Sequence, residues 1–316
     1  MTDRRSTAGI FGDLDVEVEI DAPIGTDSWF CAGGSADILL HPKDPTVLAE
    51  IVRRCRRSGM PLRIIGEGAN LLVADEGVGG IVVKLDAPAF RSLERNADGE
   101  VDLVRIGAGA DLARSLMDLA RSGLSGLEVL MGVPASIGGA VRMNAGGRYG
   151  SIGDTVHAIA CLDDHGEMRV YSAEELEFGY RRTNIVDPIV LWGVFRVRQE
   201  DPVELRARIK EIAAYKKSTQ PLAEKSAGCM FRNPVDPATG ELVSAGRIID
   251  ECGLKGTTVG SATVSEVHAN FITIARGGRA NDAIELGDRI VEQVRDRRGI
   301  ELEREVVVWK RESETP

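Results

Sequence analysis

The sequence predicts an α+β fold in which short helices are interleaved with strands and hairpins. Two observations lead to this prediction. Apolar residues follow helical spacing in some segments, such as residues 45–59, and form short strand-like runs in others, such as Leu62–Ile65. The glycine pattern GxGxxG, which would open a helix in a dinucleotide-binding βαβ unit, is incomplete in both GEGANL (66–71) and GAGADL (107–112). A doubly wound parallel sheet is therefore disfavoured.

The spacing of apolar residues places the elements of the first half of the chain. We expect a tail at residues 1–13, a strand at 14–20, a helix at 45–59, strands at 62–65 and 81–85, a hairpin at 91–105 and a helix at 111–122. Asp98-Gly99 is a strong turn pair inside the hairpin, and Asp111 is the predicted N-cap of the second helix. Gly59 and Gly123 are predicted to end the two helices.

The second half continues the mixed pattern. We expect strands at residues 155–162, 167–171 and 189–197, helices at 202–218 and 243–252, a polar loop at 256–265, a strand at 270–275, a helix at 281–298 and a final strand that begins at 301. Gly299 is predicted to end the last helix. Alternation along the final strand would place Glu301, Glu303 and Glu305 on one face.

Composition and charge exclude several classes of protein. The chain has 316 residues, which predicts two or three domains, and its 43% hydrophobic and 28% charged residues are ordinary for a soluble globular protein. A net charge of −10 argues against nucleic-acid binding. Neither a membrane-length apolar run nor a signal-peptide core is present, which predicts a cytoplasmic protein. The five cysteines and four histidines lack paired spacing, so no metal site is expected.

Residues 123–150 contain eight glycines and follow neither helical nor strand periodicity. Glycine costs backbone entropy on folding, so this density requires left-handed turns or close approach of the backbone to another group. Pro134 and the small residues after it are expected to leave backbone amides uncovered, which suits phosphate or another polar ligand. An ordinary long loop is the alternative, although loops of this length are uncommon in compact domains unless they are functional.

Seven segments of the chain, in this order, resemble one enzyme family. They are CAGGSADILL (31–40), GEGANLLVADEGVGG (66–80), GLSGLEVLMGVPASIGGAVRMNAGG (123–147), FGYRR (178–182), SAGCMFRNP (226–234), SEVHANFI (265–272) and ELEREV (301–306). The family is UDP-N-acetylenolpyruvoylglucosamine reductase, a flavoenzyme of peptidoglycan precursor synthesis. The resemblance covers residues 25–309, which is nearly the whole chain.

The resemblance implies a FAD-binding fold of the vanillyl-alcohol-oxidase type. Residues 1–24 would form a tail and first strand, residues 25–200 a FAD-binding domain of two α+β subdomains, and residues 201–316 a substrate-binding domain whose last strand returns Glu305 to the active site. It also implies a reaction in which NADPH reduces FAD. The enolpyruvyl group of UDP-N-acetylglucosamine enolpyruvate would then accept a hydride at C3 and a proton at C2, giving UDP-N-acetylmuramate.

By this resemblance, two glycine-rich segments hold FAD. The first comprises Gly66, Glu67, Gly68, Ala69, Asn70 and Leu71, and the second comprises Gly132, Pro134, Ala135, Ser136, Gly138, Gly139, Ala140, Asn144, Ala145 and Gly146. Backbone amides of both segments would bind the pyrophosphate, and residues 144–146 would line the flavin ring. The family has serine where this chain has Ala69, so the first segment is expected to act through its backbone and Asn70. A turn requirement is the alternative explanation for any single glycine.

Three residues match catalytic positions of the family. Arg181 would stabilise the negative charge that hydride addition builds on the substrate, and Arg182 is the competing assignment. Cys229 stands where the family has serine and would protonate C2, because a thiol is far more acidic than an alcohol. Glu305 would hold the surroundings of the substrate's carboxylate or assist protonation. The alternatives are a surface ion pair, an inert buried cysteine and a solvated acidic strand.

Further residues are implied to bind the substrate. Tyr180 precedes Arg181, and Arg232 and Asn233 follow Cys229 as ligands for the diphosphate or the sugar. Additional candidates for this role, which the sequence does not rank, are Lys216, Lys217 and Lys225. The family has proline where this chain has Arg304, which is a departure beside the predicted site.

Two other functions compete with this one. A flavin oxidase or dehydrogenase of the same superfamily, acting on an alcohol or sugar, would consume oxygen without NADPH and would leave residues 226–234 and 303–306 unexplained. A non-catalytic flavin-binding or nucleotide-sugar-binding protein would lack Arg181, Cys229 or Glu305, and all three positions hold chemically competent residues. We therefore expect a small-molecule partner rather than nucleic acid or a membrane. The oligomeric state stays open, and a monomer is compatible with the sequence.

Overall fold

The computed structural model describes residues 4–221, 224–237 and 239–311, and over these residues the fold is α+β. In chain order, the helices α1 to α7 are Arg4–Gly9, Pro45–Arg57, Leu112–Arg121, Ile137–Arg142, Pro202–Thr219, Ala245–Glu251 and Ala280–Arg298. The strands β1 to β10 are Val16–Ala22, Ala36–Pro42, Leu62–Ile65, Leu71–Val73, Val78–Lys84, Leu93–Arg95, Leu103–Gly107, Leu124–Ser125, Gly146–Gly147 and Gly150–Ser151. The strands β11 to β20 are Val156–Leu162, Met168–Ser172, Phe178–Gly179, Arg182–Thr183, Ile189–Arg196, Arg198–Gln199, Thr258–Val259, Ala262–Val264, Ile272–Ile274 and Val307–Trp309.

The chain divides into two compact units, neither of which is continuous in sequence. The first unit comprises Met1–Ile20, Ile38–Glu67 and Gly80–Lys216, and the second comprises Asp21–Asp37, Gly68–Gly79 and Lys217–Pro316. The predicted domains at residues 25–200 and 201–316 were continuous, whereas residues 21–37 and 68–79 group with the C-terminal part of the chain. The assignment of functions to the predicted domains stays a prediction.

The first unit contains two larger sheets, three two-stranded ones and a large apolar core. One sheet has the strand order β1-β2-β5-β3, and the other has the order β12-β11-β15-β7-β6 with antiparallel neighbours. Helices α2 and α3 bury one face each, through residues such as Leu48, Ile51 and Leu116. Asp44 and Asp111 cap these helices by accepting hydrogen bonds from backbone amides of the first turn.

The second unit contains a sheet of order β17-β18-β19, a parallel β4–β20 pair and helices α6 and α7. In the pair, Leu71 lies opposite Val307. Asp75 follows β4 and accepts hydrogen bonds from the amides of Ala280 at 2.8 Å and Asn281 at 3.3 Å, at the start of α7. The first turn of α7 is thereby capped from a distant part of the chain, and this fixes the end of β4 against it.

Most predicted elements are confirmed with boundary shifts of a few residues. They include the helices at 45–59, 111–122, 202–218, 243–252 and 281–298, the hairpin at 91–105, and the strands at 14–20, 62–65, 155–162, 167–171 and 189–197. Gly299 ends α7 in the left-handed region with φ of +65°. Within the described residues, no helix is long and apolar enough to cross a membrane.

Three local predictions are wrong. The predicted tail at 1–13 contains α1 and the fully buried Phe11, and of these thirteen residues only the first three lie outside the described part of the chain. The predicted loop at 256–265 contains the antiparallel pair β17–β18, which is too short to produce a visible period. The predicted final strand from 301 is regular only over Val307–Trp309. Before it, Arg304 forms an isolated antiparallel bridge with Phe231 rather than part of a continuous ladder.

The glycine-rich stretch also contains regular structure that its composition concealed. Helix α4 spans Ile137–Arg142, and its N-cap Ser136 accepts a hydrogen bond from the amide of Gly139 at 3.3 Å. A short β9–β10 hairpin follows. The absence of periodicity therefore reflects the shortness of these elements rather than a single long loop.

Candidate active site

A cavity of about 220 Å³ lies in the first unit, next to the ends of β3 and β5 and the start of α4. It brings together parts of the two predicted cofactor segments, which are far apart in sequence. The predicted residues that line it are Gly66, Glu67, Ser136, Gly138 and Gly139. Its lining also includes the cationic residues Lys84, Arg91 and Arg142 and the acidic residue Asp86. The positive side chains at this wall suit an anionic group.

Two glycines are explained by close packing beside this cavity. A Cβ added at Gly66 would lie 2.5 Å from Ser136 Oγ, and one added at Gly138 would lie 2.9 Å from Ala108 Cβ. Any larger residue would therefore push the loop after β3, α4 and the end of β7 apart. The glycines shape the cavity by letting these backbones approach one another.

The amides at the start of α4 are not uncovered, contrary to the sequence prediction. Ile137 N donates to Ala110 O at 2.9 Å, Gly138 N to Ala108 O at 2.8 Å, and Gly139 N to Ser136 Oγ. The cause is an antiparallel bridge between Asp111 and Ser136, which pairs this segment with the chain before α3. A ligand in the cavity would contact these residues by other atoms.

The other residues of the second segment lie outside the cavity lining. Ala140 is 1% exposed and its amide donates to Ser136 O, which leaves neither its side chain nor its amide available to a ligand. Ala145 N donates to Ala140 O at 2.7 Å, and Gly146 pairs with Ser151 in the β9–β10 hairpin. Gly132, Pro134 and Ala135 precede the helix and are partly or fully exposed. Their roles stay predictions.

Arg181 lies in the tight turn of a hairpin in the first unit, where β13 pairs with β14. Its φ is +55°, a left-handed conformation that costs a non-glycine residue on the order of 1 kcal/mol. Its guanidinium carbon is 5.1 Å from the centroid of the Tyr180 ring, a cation–π distance. The turn therefore presents the predicted catalytic arginine and its aromatic neighbour together.

Asn144 fixes the base of this hairpin. Its side-chain Nδ2 donates to Gly179 O at 2.9 Å and its Oδ1 accepts from Gly153 N at 3.1 Å. The residue is 7% exposed and has a φ of +42°. Its amide group therefore bonds to the protein backbone, and its predicted place beside the flavin ring stays a prediction. It holds the Arg181 turn against the segment that follows β10.

The three lysines that are additional candidates for substrate binding differ in burial. Lys216 is partly buried on α5, where an added Cβ at Gly132 would lie 3.0 Å from its Cδ, whereas Lys217 and Lys225 are exposed. Burial, together with the nearby Arg181 cation, lowers the pKa of Lys216 from 10.5 to about 8. Lys216 thus adds a second positive charge in the neighbourhood of Arg181, and it stays mostly protonated at neutral pH.

The Lys216 charge is expected to make stability depend on pH. Because the pKa in the folded protein is about 8 and its usual value is 10.5, the unfolded chain binds the extra proton between these values. The free energy of unfolding should therefore rise with pH in this window. Lys216→Met should be more stable than the parent by about 1 kcal/mol at neutral pH, because solvent screens part of the cost, and the difference should shrink above pH 8.

Urea unfolding at a series of pH values measures this effect. The exposed neighbour Lys217→Met is the matched control for losing a lysine from the same region. A stability gain for Lys216→Met that does not change with pH would contradict the explanation.

In the second unit, the first glycine segment runs from a tight turn into β4. Gly68 has a φ of +65° and its carbonyl accepts from Trp29 N at 3.3 Å. Within the described part of the chain, the amides of Gly68 and Ala69 donate to no protein acceptor. Leu71 begins β4 and is buried. These two amides, at a buried glycine and a half-buried alanine, are therefore candidates for binding an anion, whereas the amides of residues 137–139 are not.

Cys229 lies between a left-handed glycine and two buried residues. Gly228 has a φ of +79°, and Met230 and Phe231 are each 1% exposed, while Cys229 itself is partly exposed. The residue is therefore not fully buried and is not part of a disulfide. Partial exposure of the residue is compatible with access by a substrate.

Asn270 holds the segment that carries Cys229, a role that sequence reasoning missed. Its carbonyl accepts from Met230 N at 2.7 Å, its Oδ1 accepts from Phe231 N at 2.9 Å and its Nδ2 donates to Phe231 O at 2.8 Å. Asn270 is 2% exposed, so each bond is made in a low-dielectric environment. The segment SEVHANFI contains this residue, and only that pattern could have drawn attention to it.

Glu305 lies beside the Cys229 segment in the second unit. Its amide donates to Met230 O at 2.8 Å, and its carbonyl accepts from Asn70 Nδ2 at 3.0 Å. Arg304, which replaces the family's proline, donates from Nη2 to Ile284 O and to Asp288 Oδ1, each at 2.7 Å. These bonds anchor a segment that has no regular strand structure. Cys229, Glu305 and Asn70 are therefore brought together, although the sequence separates them widely.

The two predicted substrate ligands that follow Cys229 are partly used by the protein. Arg232 N donates to Glu303 O at 2.9 Å, and its Nη1 lies 3.6 Å from Glu303 Oε2. Asn233 Oδ1 accepts from Ala245 N at 3.0 Å, at the start of α6. The Glu303 side chain is 78% exposed, so its ion pair with Arg232 is a surface contact and the alternative of a solvated acidic face stays open.

Two family models match the chain. Residues 36–172 match a FAD binding domain, and residues 220–309 match the C-terminal domain of UDP-N-acetylenolpyruvoylglucosamine reductase. The chain is 39% identical over 290 residues to the UDP-N-acetylenolpyruvoylglucosamine reductase of Heliobacterium modesticaldum, covering 90% of this chain and 88% of that protein. It is 37% identical over 290 residues to the protein of the same name from Syntrophus aciditrophicus, covering 92% and 91%.

A solved structure agrees with these sequence matches. The crystal structure of UDP-N-acetylenolpyruvylglucosamine reductase from Thermus caldophilus superposes with a TM-score of 0.76 at 36% identity, covering 94% of this chain and 99% of that one. The fold and the matched domains define a flavoprotein oxidoreductase with a FAD-binding fold of the vanillyl-alcohol-oxidase type and a C-terminal α+β domain. The chain belongs to the UDP-N-acetylenolpyruvoylglucosamine reductase family. The fold class and family predicted from the sequence are confirmed.

Proposed function

We propose that the chain reduces the enolpyruvyl group of UDP-N-acetylglucosamine enolpyruvate to give UDP-N-acetylmuramate, with FAD as cofactor and NADPH as reductant, in peptidoglycan precursor synthesis. When bound, FAD takes a hydride from NADPH and supplies it to C3 of the enolpyruvyl group. The observation that carries the proposal is the hydrogen bond between Glu305 N and Met230 O, which holds a thiol and a carboxylate in adjacent segments.

The cofactor-binding residues fit a phosphate-bearing ligand. The cavity in the first unit offers Gly66, Gly138 and Gly139 at its wall with three cationic side chains nearby. Further along the same loop, Gly68 and Ala69 have amides without a protein acceptor in the described residues. We assign these groups to FAD, and we remove Ala140 from the predicted set because it is buried in the core.

Arg181 is assigned the stabilisation of negative charge. Addition of hydride at C3 leaves excess electron density on C2 and on the substrate's carboxylate. A guanidinium beside that carboxylate interacts more strongly with the transition state than with the ground state. The tight turn and the Tyr180 ring restrict the conformations of Arg181, so little reorientation is needed during the reaction.

Cys229 is assigned the protonation of C2. Its Sγ–H bond breaks as the proton is transferred to C2, and the sulfur is left as a thiolate that must be reprotonated before the next cycle. Asn270 and Glu305 fix the backbone on the C-terminal side of Cys229 through Met230 and Phe231. Glu305 is assigned to the carboxylate end of the substrate or to proton delivery, and Tyr180, Arg232 and Asn233 are assigned to substrate binding.

The flavin spectrum tests this function directly. We expect purified protein to be yellow, to lose flavin absorbance on addition of NADPH and to recover it when UDP-N-acetylglucosamine enolpyruvate is added without oxygen. The alternative oxidase would instead consume oxygen with an alcohol or sugar and without NADPH. A colourless protein that cannot be reconstituted with FAD would overturn the proposal.

The proposal places the enzyme in the cytoplasm, where NADPH and nucleotide sugars are available. Its partner is a small molecule. Every residue assigned a role belongs to one chain, which is compatible with a monomer.

A further inference from the structure

The side chain of Asn70 forms a hydrogen bond with a distant part of the chain, which its sequence position does not predict. It lies in the first glycine segment, where an asparagine next to uncovered amides was expected to contact phosphate. Instead, its Nδ2 donates to Glu305 O at 3.0 Å. The two residues are 235 positions apart in the chain and belong to the same compact unit.

We propose that Asn70 is a positioning residue for Glu305, and that its side-chain amide sets the place of the Glu305 carboxylate relative to Cys229. This inference rests on the proposed function, because it gives Asn70 a purpose only if Glu305 takes part in the reaction. It assigns Asn70 to the step at the substrate rather than to binding of the cofactor phosphates.

The surroundings of Glu305 explain why the Asn70 side chain can control its position. The segment from residue 301 to 306 has no regular strand structure, so a continuous ladder does not hold it. The peptide group before the Cα of Glu305 is fixed by Met230 O, and the one after it by Asn70 Nδ2 at 3.0 Å and by a longer bond from Val306 N to Met230 O at 3.4 Å. Val307 N then donates to Asn70 O at 3.1 Å, so that Asn70 uses both its side chain and its backbone on this segment.

Loss of the Asn70 amide would leave the peptide plane that follows Glu305 with only the long hydrogen bond from Val306 N to Met230 O at 3.4 Å. The carbonyl would lose its donor in a partly buried place, and rotation of this plane would move the start of the Glu305 side chain. A displacement of about 1 Å in a catalytic group can reduce the rate by roughly a hundredfold. The backbone amides of Gly68 and Ala69 would be unaffected, since their availability does not depend on this bond.

Two half-reactions measured separately test the inference. In Asn70→Ala and in the isosteric Asn70→Asp, we expect reoxidation of reduced enzyme by the enolpyruvyl substrate to slow by about 10- to 100-fold. Reduction of the flavin by NADPH, and the Kd of FAD measured by flavin fluorescence, should stay within about threefold of the parent. Asn281→Ala removes a structural asparagine from the same unit and serves as the matched control, with both half-reactions expected within about threefold.

A double-mutant cycle with Glu305→Gln separates positioning from a general structural role. In the Glu305→Gln background, Asn70→Ala should cost little further, because the two changes act on the same group. If Asn70→Ala weakens FAD binding by more than about tenfold and leaves substrate reoxidation unchanged, Asn70 is a cofactor ligand and the inference is overturned.

The cycle also distinguishes the two levels of failure. If Glu305→Gln slows reoxidation by the substrate and the effects of Asn70→Ala and Glu305→Gln add fully, only the positioning role of Asn70 is overturned. If Glu305→Gln reoxidises as fast as the parent, the role assigned to Glu305 under the proposed function fails, and the positioning role fails with it.

Discussion

In Cys229→Ala, NADPH is expected to reduce the flavin at the normal rate, and reoxidation by the substrate is expected to be very slow. Hydride delivery to the substrate requires a proton at C2 to complete the reaction, and alanine has none to give. Loss of a positioned general acid costs about 100- to 10,000-fold. Stopped-flow absorbance should therefore show reduction by NADPH within about threefold of the parent and a reoxidation by substrate that is slower by this factor.

Cys229→Ser is the matched variant, because a hydroxyl can give the same proton, and it should retain substantial turnover. Cys31→Ser controls for the loss of an exposed thiol elsewhere in the chain. The thiol also predicts a chemical signature: alkylation should block reoxidation in the parent and in Cys31→Ser but not in Cys229→Ser. Normal turnover by Cys229→Ala would remove the proton-donor assignment.

Arg181→Met is expected to lose about 100- to 1,000-fold in kcat, which is the usual cost of removing one preorganised charge-stabilising group. Arg181→Lys should recover only part of this loss, because lysine restores the positive charge but not the planar guanidinium with its paired donors. The effect should fall on kcat and kcat/KM for the enolpyruvyl substrate together, since the interaction is strongest in the transition state. Steady-state kinetics with saturating NADPH measure it.

Arg169→Met provides the control for Arg181. Its guanidinium lies 4.2 Å from the Tyr171 ring centroid in the same unit, so it loses a comparable cation–π contact without touching the predicted site. Arg182→Met decides between the adjacent arginines. If Arg182→Met loses the activity and Arg181→Met retains it, the assignment must be exchanged.

Ordered local motifs were sufficient to predict the family, the fold class, most helices and about half of the strands. Asp111 and Gly299 mark helix ends through interactions within a few residues, which is why they could be read directly. Phe11 could not be placed, because a single buried aromatic in a polar segment has no period.

The details of the site depended on pairings that no local pattern encodes. Whether the amides of residues 137–139 are uncovered depends on the bridge to Asp111, and the sequence could not reveal that bridge. The same holds for Asn70 and Glu305, whose hydrogen bond joins two motifs that were each assigned a separate task. The roles of Arg181, Cys229 and Glu305 came from the resemblance and stay predictions until the variants are measured.

The parallel pairing of β4 with β20 has a consequence for biosynthesis. The register that joins Leu71 to Val307 cannot form until the last residues of the chain have been made. At 5 to 20 residues per second, about 10 to 50 s of translation separate the two ends of the Asn70–Glu305 contact. During this time residues 68–79 lack their partner strand. Truncated or stalled chains should therefore have a partly folded second unit, which chaperones and proteases can recognise.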